Sequence, residues 1–328
     1  MTTKAFGLLL AVICSALVSL AAGGHWLGPE AIWHALVMPE ADNIDDLLIR
    51  GTRASRTLIA LVAGASLAVA GGLIQTVTGN PLASPGILGI NAGALLALVA
   101  GAGLLSLPLA GSGYVAALLG AGLTCGLVWL IAMQGAGRAG PLRLVLAGAA
   151  LAALFNAISQ ALLVVDQQGL DAILVWMAGS VAGHSLTGVW PMLVGAVVVM
   201  ALGVPFLRHL NVLSAGEQTA RTVGARVRGL QAIALLATAL LAGNAVAMAG
   251  SIAFVGLIVP HLARRLLGSD HRCWLPGAAA LGAMLLLWGD IVARLVIAPR
   301  EVPVGVAMTL IGVPFFIGLI RMTGRPHG

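Results

Sequence analysis

The run Thr57-Leu58-Ile59-Ala60-Leu61-Val62-Ala63-Gly64-Ala65-Ser66-Leu67-Ala68-Val69-Ala70-Gly71-Gly72-Leu73-Ile74-Gln75-Thr76 contains no charged residue. About 20 consecutive apolar residues form an α-helix long enough to cross the ~30 Å hydrocarbon core of a bilayer. A strand of a membrane β-barrel would alternate polar and apolar residues over about ten positions. This run is continuously apolar, so it predicts a helix. Nine further runs read the same way, near 5–24, 87–107, 113–133, 142–165, 189–207, 229–249, 252–267, 275–297 and 304–322. The expectation is an all-α polytopic membrane protein of about ten transmembrane helices, forming one transmembrane domain over residues 1–328.

Composition agrees. Of 328 residues, 60% are hydrophobic and only 9% are charged, too few charges to cover the surface of a soluble domain. The 44 glycines lie among Ala and Ser in apolar runs, where small residues let helix backbones approach closely. Cys14, Cys125 and Cys273 have no paired spacing and read as small apolar residues rather than metal ligands or disulfides. The first apolar run ends in Ser19-Leu20-Ala21-Ala22-Gly23, as a signal peptide can, but it is long for one and is read as an uncleaved first span.

Orientation follows from the basic residues, which accumulate in cytoplasmic loops. With both termini inside, the cytoplasmic side receives Lys4, Arg138, Arg143, Arg208, Arg221, Arg226, Arg228, Arg264, Arg265, Arg272, Arg321 and Arg325. Arg50, Arg53, Arg56, Arg294 and Arg300 fall outside, among Glu30, Glu40, Asp42, Asp45, Asp46, Asp166, Asp171 and Glu301. The outer loop 25–56 carries Trp26 and Trp33, which suit a segment at the membrane interface. The cytoplasmic loop 208–228 has apolar residues spaced for a short surface helix. Segment 170–183 is too short and polar to span, and is expected to re-enter or to lie at the outer face.

Lys4 is the only lysine, so no phosphate-binding loop of the G-x-x-x-x-G-K-[ST] kind exists in the chain. Asp290 is the only acid inside an expected span, and Arg294 four residues later can pair with it. No His, Asp, Glu or Cys cluster has the spacing of a catalytic or metal site. A transporter without nucleotide-binding machinery, and nearly without buried ionisable groups for ion coupling, is one subunit of a powered assembly or a passive pore.

Several motifs resemble the membrane subunit of the ATP-binding-cassette importers that take up iron-siderophore complexes, haem and vitamin B12. They are Arg53-Ala54-Ser55-Arg56-Thr57-Leu58, then Gln75 with Asn80-Pro81-Leu82-Ala83-Ser84-Pro85-Gly86-Ile87-Leu88-Gly89-Ile90-Asn91, then Leu213-Ser214-Ala215-Gly216-Glu217. Phe254-Val255-Gly256-Leu257-Ile258-Val259-Pro260-His261, Asp290-Ile291-Val292-Ala293-Arg294 and Glu301-Val302-Pro303-Val304-Gly305 follow in order. The resemblance covers nearly the whole chain and implies the BtuC-like, type II importer permease fold.

It also implies that the chain lies in the bacterial inner (plasma) membrane with a second permease subunit, identical or paralogous, and works with two cytoplasmic ATP-binding subunits that carry ATP and Mg and with a periplasmic substrate-binding protein. The chain itself would bind no cofactor and no metal. Residue by residue, Arg53, Arg56 and Arg294 match positions that dock the binding protein through exposed guanidinium groups. Family members usually have R-L-P-R where this chain has Arg53-Ala54-Ser55-Arg56, so the turn lacks the fixed φ of proline. Leu213, Gly216, Glu217, Ala220 and Gly224 match the element that couples to the ATPase. Asn80 and Leu82, with Pro141 and Leu142, match constrictions of the translocation gate. Ferric siderophores or ferric hydroxycarboxylates are the expected cargo, moved by alternating access at a dimer interface. Haem or cobalamin import is the alternative within the family, and an ion-coupled carrier or channel the alternative outside it.

Overall fold

The computed structural model describes residues 2–40, 42–106, 108, 111–134, 141–165, 170–297 and 300–323. Arg138, Asp166 and Arg325, counted above, lie outside the described residues, as do the side chains of Pro141 and Asp171. In chain order the helices are α1 (Thr2–Ala21), α2 (Pro29–Val37), α3 (Ile44–Leu47), α4 (Ala54–Thr78), α5 (Ile90–Leu105), α6 (Ser112–Met133), α7 (Pro141–Val165) and α8 (Leu170–Ala178). They continue with α9 (Leu186–Gly203), α10 (Leu207–Ser214), α11 (Glu217–Thr222), α12 (Val227–Ala249), α13 (Val255–Leu267), α14 (His271–Leu295) and α15 (Val304–Thr323). A π-helical segment, Leu48–Arg53, runs from α3 into α4, and short 3₁₀ turns sit at Pro85–Leu88 and Val204–Phe206.

Each of the ten expected spans has become a helix. Among the described residues, seven stretches are long and apolar enough to cross a membrane unaided, α5 and α15 hold shorter apolar stretches, and α13 has 13 residues. Thirteen residues reach only about 20 Å. The remaining distance is covered by residues 250–254, an irregular stretch whose Phe254 has φ +68°. Non-helical backbone at membrane depth must be buried in protein or line a wet cavity; here Gly250 and Ile252 are buried and Ala253 is exposed, Gly179, Gly250 and Gly305 crowd together with Ser251, Gly305 N–H donates to Gly179 O at 3.1 Å, and Asn91 Nδ2 donates to Ser251 Oγ at 3.1 Å. Segment 170–183 is the nine-residue α8, too short to span.

α4 is the central mast. Of its most apolar 18-residue window 83% is buried, against 22% for α7 and for α9 and 17% for α1, which therefore form the outer wall of the bundle. α14, α12 and α13 surround α4 directly. Two glycine contacts set these crossings: a Cβ on Gly64 would strike the backbone of Gly282, and one on Gly71 the backbone of Gly256. Between helices in lipid, dispersion across such close backbone contact replaces the hydrophobic effect as the source of association. α4 ends where Gly79 takes the left-handed conformation, φ +62°, and Pro81 follows.

Candidate functional site

Functional candidates collect at the two ends of α4. From Arg56 to Thr78 is about 33 Å along the helix, so the two ends stand on opposite sides of a hydrocarbon core.

At the N-terminal end of α4, the expected outer end, the structure corrects one expectation. Arg53, Arg56 and Arg294 do not present exposed guanidinium groups; they are 8%, 6% and 4% exposed. Asp290, fully buried, accepts from Arg56 Nε at 2.9 Å and from Arg294 Nε at 2.9 Å. Arg56 Nη1 also donates to Glu301 at 2.6 Å. Arg294 donates to Ser19 O and Ala22 O at 3.0 Å and to Ser19 Oγ at 2.7 Å, while Arg53 donates to Leu20 O and Ala21 O at 2.8 Å and to His25 O at 2.6 Å. A helix end leaves its last carbonyls without intrahelical donors. Arg53 and Arg294 supply those donors for α1 and place positive charge at the negative end of its dipole. The Asp290–Arg294 pair expected from spacing is present; what spacing could not show is that Arg56 and Glu301 join it from 234 and 11 residues away.

The outer segment 25–56 folds as α2, α3 and the π-helical segment. Trp26 and Trp33 are exposed, as an interfacial segment requires. Arg50, Arg300 and Glu301 are exposed near the buried cluster. Arg50 and Arg300 lie outside the family-like motifs, and their only signal in the sequence is positive charge on the acidic side.

At the C-terminal end of α4, the expected cytoplasmic end, loop 208–228 is two short helices rather than one. Gly216, at φ +102°, breaks the chain between α10 and α11, and Gly224, at φ +78°, ends α11. Leu213 and Ala220 are buried and anchor the pair to the bundle, whereas Gly216 and Gly224 are exposed and Glu217 pairs with Arg221 on the surface of α11. The loop after α4 is an Asx turn: Leu82 N–H donates to Asn80 Oδ1 at 2.9 Å, with Asn80 and Leu82 exposed. Leu142, near the start of α7, is 70% exposed.

A cavity of about 520 Å³ joins these elements. Gly79, Pro81 and Leu144 line one part of its wall, and Leu213, Gly216 and Glu217 another. The structure thus brings the expected coupling segment and the expected gate loop to one space. At its edge, Asp270 caps α14 by accepting from Arg272 N–H, and hydrogen bonds from Arg272 and then Asn211 hold its carboxyl well below the usual carboxylate range. Two polar residues escaped the motif reading: Asn156 and Gln160, four apart on α7, are both exposed within a span. Their spacing on one helix face was readable; that the face is uncovered was not. Among the described residues no group of His, Cys, Asp and Glu could hold a metal ion.

The model of the FecCD transport family matches residues 9–322. The chain is 40% identical over 314 residues to a probable siderophore transport system permease protein of Bacillus subtilis, covering 96% of this chain and 93% of that one. It is 39% identical over 319 residues to the ferric enterobactin transport system permease protein of Escherichia coli, covering 97% and 95%. Among solved structures, an inward-facing conformation of a putative metal-chelate type ABC transporter is similar with a TM-score of 0.84 and 30% identity, over 98% of this chain and all of that one. With the ten expected spans found as helices in order among the described residues and both ends of α4 built from the family-like motifs, the chain belongs to the FecCD transport family and is a membrane permease, a transport subunit rather than an enzyme.

Proposed function

We propose that the chain imports ferric siderophore or ferric hydroxycarboxylate complexes across a bacterial inner membrane, as a single permease domain with both termini cytoplasmic. It pairs with a second permease subunit and draws its energy from two cytoplasmic subunits that bind ATP and Mg. The observation that carries this reading is the shared cavity between the α10–α11 segment and the loop after α4: a push on Glu217 and its neighbours has space to travel into, and a gate to act on. Leu213 and Ala220 fasten the segment, Gly216 and Gly224 hinge it, and Asn80, Leu82, Pro141 and Leu142 narrow the cytoplasmic mouth. The names of the relatives, several of them ferric-chelate permeases, supply the substrate class.

Asn156 and Gln160 support a pathway at a dimer axis. Polar side chains facing outward at bilayer depth are costly against lipid and suit a wet interface with a second subunit. Docking of a substrate-binding protein is assigned to the outer face, where Arg53, Arg56 and Arg294 hold the shape and Arg50 and Arg300 offer exposed donors for a partner's carboxylates.

The test is uptake of radio-iron, supplied as ferric enterobactin, ferric citrate or a ferric hydroxamate, into vesicles holding the full assembly. ATP-dependent uptake of one of the three is expected. Glu217→Arg should leave the assembly intact and cut uptake at least about tenfold, and Arg50→Glu with Arg300→Glu should weaken binding-protein capture. Uptake of haem or cobalamin alone would replace the substrate class. Uptake that needs no ATPase subunit would contradict the reading.

A further inference from the structure

Gln75 belongs to the sequence motif that precedes the gate loop, yet it has no part in the functions assigned so far. It is 4% exposed in an apolar span, and a buried amide is costly unless its hydrogen bonds are made. Its Nε2 donates to Ala83 O, in the gate loop, at 3.1 Å, and its Oε1 accepts from Arg264 of α13. The guanidinium of Arg264 in turn lies over the ring of Trp274 of α14, 4.6 Å from its centroid. The next residue, Thr76, meets Nε2 of the buried His271 at 2.8 Å. On the other side of the imidazole, Nδ1 lies 2.7 Å from Asn211 Oδ1, and His271 N–H donates to the same oxygen at 2.9 Å. An amide oxygen only accepts, so in the neutral imidazole Nδ1 carries the proton and Nε2 accepts from the Thr76 hydroxyl, whose single proton is shared with a second acceptor, Gly72 O, at 2.9 Å. Asn211 sits on α10, inside the coupling segment, and its Nδ2 donates to Asp270 at 2.8 Å.

We propose that Asn211, His271, Thr76 and Gln75 form a hydrogen-bonded linkage that carries displacement of the α10–α11 segment to the gate loop. Three arguments support it. The hydrogen bonds run from Asn211 of α10, through His271 at the start of α14, to Thr76 in the last turn of α4, and the adjacent Gln75, joined to Thr76 through the backbone, continues them to Ala83 of the gate loop. Gln75, Thr76 and His271 line the same 520 Å³ cavity as Leu213, Gly216 and Glu217, so the linkage runs along the wall of the space into which the segment can move. Directional bonds to an imidazole held on both sides transmit a shift of a few tenths of an ångström that apolar contacts would absorb by sliding. Asn211, His271, Thr76 and Gln75 are positioning residues, since none is required to touch cargo or nucleotide.

This inference rests on the coupling and gate roles proposed above, and its test separates the two. Leu82→Cys, 41% exposed in the parent, serves as a reporter in a chain whose Cys14, Cys125 and Cys273 are replaced by alanine. The full assembly is labelled with a membrane-impermeant maleimide, with and without ATP and vanadate. Nucleotide trapping is expected to change the labelling rate at least about tenfold in the parent. Thr76→Val and Asn211→Leu should abolish that change while assembly and ATP hydrolysis persist, and Thr76→Ser, which keeps the hydroxyl, should restore it. A Thr76→Val chain that responds like the parent overturns the linkage alone, as does a Thr76→Ser chain that fails like Thr76→Val. A parent whose labelling ignores nucleotide overturns the gate reading and the linkage together.

Discussion

The two ends of α4 hold similar numbers of polar residues and use them in opposite ways. At the outer end Arg56, Asp290 and Arg294 are buried, and the charges satisfy one another and the end of α1. At the cytoplasmic end Gln75, Thr76, His271 and Asn211 are also bonded, but they border a cavity and connect to exposed turns hinged on Gly79, Gly216 and Gly224. A buried ion cluster in low dielectric tolerates little displacement, because any separation leaves a charge uncompensated. Hydrogen bonds beside a cavity can shift together. On the proposed function, the outer end is a clasp and the cytoplasmic end is the moving part.

The clasp can be broken at its centre. Asp290→Leu leaves two buried guanidinium groups facing each other, and a loss of about 3–5 kcal/mol is expected, read as a large drop in the melting temperature of the purified chain. α1 should loosen with it, since Arg294 holds the end of that helix. A change of the same size on removing an exposed acid such as Glu40 would erase the distinction between the two ends.

Acid should act on the cytoplasmic end in a graded way. The Asp270 carboxyl is lowered by Arg272 and Asn211, so its contribution is present above the ordinary carboxylate range near pH 4 and is lost as pH falls through the lowered value. Melting curves from pH 6 downward should show an acid limb that Asp270→Asn flattens. An unchanged limb would remove Asp270 from the structural role given to it here.

The smallest effect belongs to the exposed pair of Glu217 and Arg221. Arg221→Ala should cost no more than about 0.5 kcal/mol in stability, although Glu217→Arg is expected to cut uptake at least about tenfold. A large stability loss from Arg221→Ala would mean that the segment is held by its surface charges rather than by Leu213 and Ala220.

Hydropathy made the bundle legible, because a bilayer requires uninterrupted apolar helices and leaves few alternatives. The break before α13 was also visible, at Gly250 and Ser251. The outer site was half legible. Asp290 and Arg294 share a helix face, and spacing alone pairs them; Arg56 comes from another helix, so only the folded chain reveals that arginines suited to docking are spent on Asp290, Glu301 and the end of α1. Asn211 and His271 gave no sequence signal, since a lone Asn and a lone His have no period. Their meaning lies in the meeting of α10 with α14.

The contrast between the ends can be measured by distances between spin labels in the assembled transporter, with and without trapped nucleotide. One pair sits on the cytoplasmic side at Val223 and Leu266, the other on the outer side at Ile44 and Val296, all exposed positions. The account predicts that nucleotide shifts the cytoplasmic pair by at least about 2 Å and leaves the outer pair unchanged. An outer pair that shifts while the cytoplasmic pair stays fixed would contradict it.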